Sequence, residues 1–247
     1  MSIFVYPQPG IADIAPLAYK SAPTGGGASL KHDHPYIRME SEEVIVRLKP
    51  QNYSVDAVFH MVNSGETATE WVGFPKQGRG LTPALDDVED YLQFGVWVDG
   101  QQTRFSEKRE VGVLSYFLKG WYAIALNRPR GFVEDFRWMI GKIRFPGNKK
   151  TIIRVNYEAN YDQYGMGPSK AAYIYGTGRY WKGTIGKASF VIDGSAIGGV
   201  DHFTISLIGS GGTYVSNQRR ISKYIVRHEM RNLEPNPHDR LLLQPKQ

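Results

Sequence analysis

Cysteine is absent from the 247-residue chain. That absence excludes a disulfide framework, a thiol nucleophile, a thiolate metal site and the lipid-bearing cysteine of a lipoprotein. No stretch approaches the roughly 20 continuous apolar residues that a membrane-crossing helix requires. The opening MSIFVYPQPGIADIAPL lacks the basic start and unbroken apolar run of a secretory signal, so either the protein stays inside or a leader is missing from this sequence.

The usual catalytic signatures are missing too. There is no G-x-S-x-G nucleophile elbow and no H-E-x-x-H; His228-Glu229 supplies only the first two letters of the latter. Gly178 to Thr184 has the glycine spacing of a phosphate loop, but Thr184 stands where the lysine must be. No G-x-G-x-x-G runs from a strand into a helix, and no cofactor is implied. Basic residues exceed acidic ones by 30 to 24, for a net charge of +6. They are scattered, with Lys108-Arg109, Lys149-Lys150 and Arg219-Arg220 as the adjacent pairs, which argues against a nucleic-acid stripe.

What is present is a β pattern. The 27 glycines and 14 prolines fall in short clusters between apolar runs, as in a protein of many strands joined by turns. Ile37 to Lys49 alternates apolar and polar residues with one ambiguous site. Tyr53, Val55, Ala57, Phe59 and Met61 then alternate cleanly, so the two runs predict a hairpin across Pro50-Gln51-Asn52. Thr69 to Phe74 reads as a third strand that stops at Pro75. Leu92 to Val98 returns through Asp99-Gly100 into Gln101 to Phe105. A short helix is expected around Val111 to Leu118, followed by a run through Trp121 to Leu126. Phe132 to Phe145 and Thr151 to Tyr161 are long strands about Pro146-Gly147-Asn148, and Phe203 to Ile208, Lys223 to Arg231 and Arg240 to Leu243 complete the set. The fold class is all-β: an antiparallel β-sandwich, or two sandwich subdomains side by side, with little helix. Residues 1–35, rich in proline and glycine, read as an irregular N-terminal arm; residues 36–247 form the sandwich domain, with a candidate subdivision near 147.

Three groups of residues attract a functional reading. The most specific stretch is Ala171 to Asp193, AAYIYGTGRYWKGTIGKASFVID, in which the extended runs Tyr173 to Tyr175 and Lys187 to Ile192 flank a glycine-rich aromatic turn. Tyr175, Tyr180 and Trp181 beside a mobile turn suit stacking on sugar rings; equally, Trp181 suits the plug of a sandwich core. His32 and His34, two positions apart in an extended segment, point to one side and could hold a metal, although no spacing rule recruits further ligands. Four carboxylates between Asp86 and Asp90 read as a solvated acidic turn in preference to a calcium loop.

Met39-Glu40-Ser41-Glu42-Glu43-Val44, the Val55-x-x-x-Phe59-x-x-x-Asn63 run with Gly73-Phe74-Pro75, the Tyr175-x-Thr177-Gly178-x-x-Trp181-Lys182-Gly183-x-Ile185 stretch and the closing Asn232-Leu233-Glu234-Pro235 resemble the bacterial extracytoplasmic domain-of-unknown-function family number 4424. The resemblance covers nearly the whole chain from Ile37. It implies a secreted or periplasmic bacterial protein, normally made with a signal peptide, and carries no functional residues with it. The leading expectation is therefore an exported, noncatalytic β-sandwich that binds a glycan or protein partner at the cell envelope. The alternatives are an envelope glycan or peptide hydrolase using an acid pair, and a metal-binding module using His32 and His34.

Overall fold

The structure, a computed structural model, describes residues 11–12, 15–18, 29–30, 34–79, 92–113, 133–161, 171–209, 212–213, 217–235 and 239–246. These residues form eighteen strands. In chain order they are β1 Ile11–Ala12, β2 Ala15–Ala18, β3 Ser29–Leu30, β4 Ile37–Leu48, β5 Asn52–Asn63, β6 Ala68–Arg79, β7 Gln93–Val98, β8 Gln101–Gln102 and β9 Ser106–Val113. There follow β10 Val133–Phe145, β11 Lys149–Asn160, β12 Ala171–Ile174, β13 Ile185–Asp193, β14 Phe203–Gly209, β15 Gly212–Thr213, β16 Asn217–Arg220, β17 Ile225–Leu233 and β18 Arg240–Pro245.

One layer is an eight-stranded sheet in the order β16-β17-β13-β4-β5-β11-β7-β8. Facing it are two five-stranded sheets, β1-β12-β18-β14-β15 and β3-β2-β6-β10-β9. Pairing is antiparallel except where β13 joins β4 and β1 joins β12. The fold is thus an all-β sandwich, as the alternation predicts. A single cluster of buried side chains fills the space between the layers, drawing on residues from Ile37 to Phe145 and from Ile153 to Leu243. Contacts across the layers include Phe59 on Phe74, Phe74 on Phe94, and Tyr173 on Phe190. Within residues 1–35, β2 pairs with β6, and β1 pairs with β12.

Strand β5 shows the period-two rule in full. Tyr53, Val55, Ala57, Phe59, Met61 and Asn63 face the core and every intervening residue is partly exposed. Strand β4 obeys the same rule with a change of phase: Ile37 and Met39 point inward, then Glu42, Val44, Val46 and Leu48 do so. The switch is a bulge, seen as a register shift between Met39 and Ser41 against β5. Gly186 on β13 makes room for it, because a β-carbon there would lie 2.6 Å from the Glu40 carbonyl oxygen. Since the obstacle is backbone on both sides, Gly186→Ala is expected to destabilise by about 1–3 kcal/mol. Denaturant midpoints of the variant and parent check this; equal midpoints would mean that the bulge is not held as described.

Two strand expectations change. The strand expected to stop at Pro75 continues through it, with Pro75 opposite Trp138 of β10. The ladder to β2 on the other side ends at Gly73, so the missing proline N–H costs no hydrogen bond there. The helix expected from Val111 begins in strand instead, since Val111 and Val113 pair with Asp135 and Val133. Long-range pairing with β10 overrides a local pattern compatible with either structure. The rest of that segment, residues 114–132, lies outside the described residues.

Candidate functional site

The Ala171–Asp193 stretch passes from one layer to the other. Strand β12 lies in a five-stranded sheet and β13 in the eight-stranded one, joined by a 3-10 turn over Gly176–Tyr180. Trp181 N–H closes that turn on the Gly178 carbonyl. The turn is then tied down on three sides. Lys182 N–H donates to the Ile37 carbonyl at 2.8 Å, His34 N–H donates to the Tyr180 carbonyl at 3.1 Å, and the N–H groups of Tyr175 and Gly176 both donate to the Asp239 carbonyl at 3.0 Å.

This anchoring turns the three aromatics inward. Tyr175, Tyr180 and Trp181 are all buried, and Trp181 retains only 1% exposure. Its ring meets Phe145 edge-on at 5.8 Å and His34 at 6.0 Å, while Tyr175 lies 5.2 Å from Phe190. Rings packed into a core have no open face for a sugar, so the stacking expectation for these residues gives way to a structural role.

His34 is likewise occupied. Its Nδ1 accepts the N–H of Ile37 at 3.0 Å and of Tyr36 at 3.3 Å, and its Nε2 lies 3.1 Å from Glu70 Oε1. An Nδ1 that accepts leaves the ring proton on Nε2, donated to Glu70, so neither nitrogen offers a lone pair to a metal. This is an acid–histidine pair in form, but its geometry locks the entry into β4. His32, and the acidic run from Asp86 to Asp90, lie outside the described residues. Among the described residues, no three histidine or acidic side chains are grouped closely enough to hold a metal ion.

A polar group that alternation alone did not reveal is Glu42. The bulge in β4 carries it to the inner face, where it is fully buried. The Tyr173 hydroxyl donates to its Oε1 at 2.5 Å, and its Oε2 has no hydrogen-bond partner among the described residues. Burial pushes the Glu42 carboxyl up to about 8, against the smaller opposing pull of the Tyr173 hydrogen bond. His228, an inward-facing residue of β17, is buried as well, and desolvation holds its pKa below the ordinary value.

The outer face of the eight-stranded sheet has a different character. Strand register lines up Arg219, Arg227, Val191, Ile45, Asp56 and Asn156 in one row across β16, β17, β13, β4, β5 and β11. The neighbouring row runs Asn217, Glu229, Ser189, Glu43, Val58 and Arg154. Two shallow hollows lie on these rows and share Arg227. One, of about 420 Å³, is lined by Asn217, Gln218, Arg219, Ile221, Arg227 and Glu229. The other, of about 340 Å³, is lined by Ile45, Val58, Ser189 and Val191, with Glu43 and Lys187 among them on β4 and β13, Asp56 and Arg154 toward β5 and β11, and Arg227 toward β17. Together they make a trough in which small apolar side chains alternate with charges of both signs. Arg154 grips Asp56 through two hydrogen bonds, at 2.8 and 2.6 Å, which raise the guanidinium pKa above its ordinary value.

The fold and the trough define an all-β sandwich with an open, polar sheet face. No protein-family model matches the chain, and no curated protein sequence matches it. Among solved structures the chain is similar to a protein of Legionella pneumophila provisionally named as nutrient binding, at a TM-score of 0.59 and 16% identity over 95% of this chain and 70% of that one. An M1 zinc metallopeptidase of Deinococcus radiodurans aligns at a TM-score of 0.38 and 9% identity, over 87% of this chain and 43% of that one. At these identities the first likeness establishes shared fold, and the second carries no argument.

Proposed function

We propose that this protein is a noncatalytic binding or scaffolding protein of the bacterial cell envelope, and that it engages its partner with the outer face of the eight-stranded sheet. The observation that carries this reading is the trough. The inner faces of the layers are spent on one continuous core, whereas the trough leaves apolar side chains and charges of both signs open on the opposite side of the same sheet. Binding sites share that make-up, an apolar floor with a few fixed polar groups. The nutrient-binding name of the Legionella protein is consistent with it. The resemblance to the extracytoplasmic family supports the envelope location.

The test is photocrosslinking in cells carrying the tagged protein at its native locus. A photoreactive side chain at Val58, in the trough, is expected to trap a partner in the envelope fraction. One at the exposed Tyr36, outside it, is expected not to. A protein confined to the cytosol overturns the location. Equal adducts from both positions, or none from Val58, overturn the sheet-face reading.

A further inference from the structure

The β16/β17 end of the trough carries a charge arrangement that the fold does not require. Arg219 and Arg227 stand directly opposite each other across the two strands. Like charges in that position repel at close range, so the pair costs stability unless something anionic lies over it. Several other cations of this sheet and its surroundings have carboxylate partners, though among the described residues Arg47 and Arg231 have none, Arg231 lying opposite Lys187. Arg154 is held by Asp56, and Arg220 is held by Asp201 through hydrogen bonds at 2.7 and 2.6 Å. Lys187 lies 3.3 Å from Glu229. Arg219 has no acidic partner among the described residues, and Arg227 approaches Glu229 only to 3.9 Å, beyond hydrogen-bonding distance and on an oxygen already shared with Lys187. Two guanidinium groups thus face one hollow with a fraction of one carboxylate between them.

We propose that Arg219 and Arg227 clasp a carboxylate of an acidic polypeptide segment whose apolar side chains lie on Ile45, Val58 and Val191. The inference rests on the sheet-face reading above and names the partner's chemistry. Guanidinium groups present paired donors that match a carboxylate's two oxygens, so two facing arginines select this group. The apolar residues follow in the same and the adjacent register rows, with Glu43 beside Val58 in the latter, so a ligand held at the arginines is laid across them and places its uncharged positions over Glu43. From β16 to β5 is four strand spacings, roughly 19 Å, which an extended segment of about six residues spans. A small carboxylate would touch one end and leave its other face in water; a polypeptide covers the open trough. The net charge of +6 adds long-range attraction for an acidic partner.

The experiment uses the whole chain and a fluorescent synthetic peptide of alternating glutamate and valine, with a glutamine–valine peptide as its neutral counterpart. Saturable binding of the acidic peptide is expected. Binding should weaken at least about tenfold for the glutamine peptide or for the Arg219→Gln/Arg227→Gln protein, and weaken markedly between about 50 and 300 mM salt. Lys149→Gln/Lys150→Gln, at the distant start of β11, should leave it unchanged. Unchanged binding by the double arginine variant overturns the proposal. So does competition by glutarate as effective as by the peptide, which would make this a small-carboxylate site, or binding to phosphatidylglycerol vesicles without binding to the peptide. If a photoreactive group at Val58 captures the cellular partner equally well in the arginine variant, the sheet-face reading stands and the arginine clasp falls. Loss of capture from Val58 in the parent protein removes both.

Discussion

Replacing Trp181 with alanine is expected to lower stability by about 3–5 kcal/mol, the range for deleting a large buried aromatic. For a chain of this length that corresponds to a fall in Tm on the order of 10 °C. The expectation follows from burial and from position together. Trp181 packs against Phe145 from a five-stranded sheet and against His34 at the entry to β4, and the next residue, Lys182, hydrogen-bonds the Ile37 carbonyl. Removing the indole opens a cavity where both layers and the crossover meet, and the surrounding hydrogen bonds limit how far the site can collapse to fill it. Trp181→Phe, which keeps much of the volume, should lose about half as much or less. Urea midpoints at matched slope check the series. A loss below about 1 kcal/mol for the alanine variant would show that the ring is not a core element and would restore its candidacy as a ligand-stacking residue.

The second large effect depends on pH. The Glu42 carboxyl keeps its proton in the folded state to about pH 8, whereas in the unfolded chain it ionises near 4.5. Folded protein therefore binds one more proton than unfolded protein between those values, and stability falls as pH rises through that window. Below pH 4.5 both states hold the proton and the group is neutral to the balance. Above 8 the folded state carries an ionised carboxylate away from water, with the Tyr173 hydroxyl as its hydrogen-bond donor. Glu42→Gln removes this titration and keeps the shape. Relative to the parent, the variant should gain roughly 3–5 kcal/mol between about pH 4 and pH 8. Taking the difference between the two proteins cancels His228, whose lowered pKa works in the opposite direction, weakening the fold as pH drops below about 6.5 in both. Unfolding free energies at several pH values supply the curve. Parallel profiles for the two proteins would mean that Glu42 reaches water.

Several elements are legible in the amino-acid sequence because they depend on contacts within a strand and its neighbour. The uninterrupted alternation from Tyr53 to Met61 places β5 with one face inward, and Asp99-Gly100 makes the β7–β8 turn with both residues at positive φ, 48° and 81°. Even the bulge leaves a trace: the inward positions of β4 change from odd to even between Met39 and Val44, the site where alternation is ambiguous. Glu42 sits within that change of phase. A carboxylate among apolar residues reads as surface until the bulge turns it inward.

Composition and period-two patterning by themselves determined an all-β chain of many strands, without disulfides or a helix long enough for a membrane, and determined the core-facing residues of strands that alternate without a bulge, β5 above all. Those properties are local, set by the pleat and by turn chemistry. Only the tertiary structure decided the partners. Strands β10 and β11 adjoin across a strong Pro146–Asn148 turn yet enter different sheets, and β12 and β13 part in the same way around Trp181. Which sheet a strand joins depends on contacts between residues far apart in the chain, and their energies leave no mark at any one position. The same long-range choice buried Tyr175, Tyr180 and Trp181, gave the nitrogens of His34 to the backbone and Glu70, and set Arg219 beside Arg227 and in line with Ile45 and Asp56 across five strands.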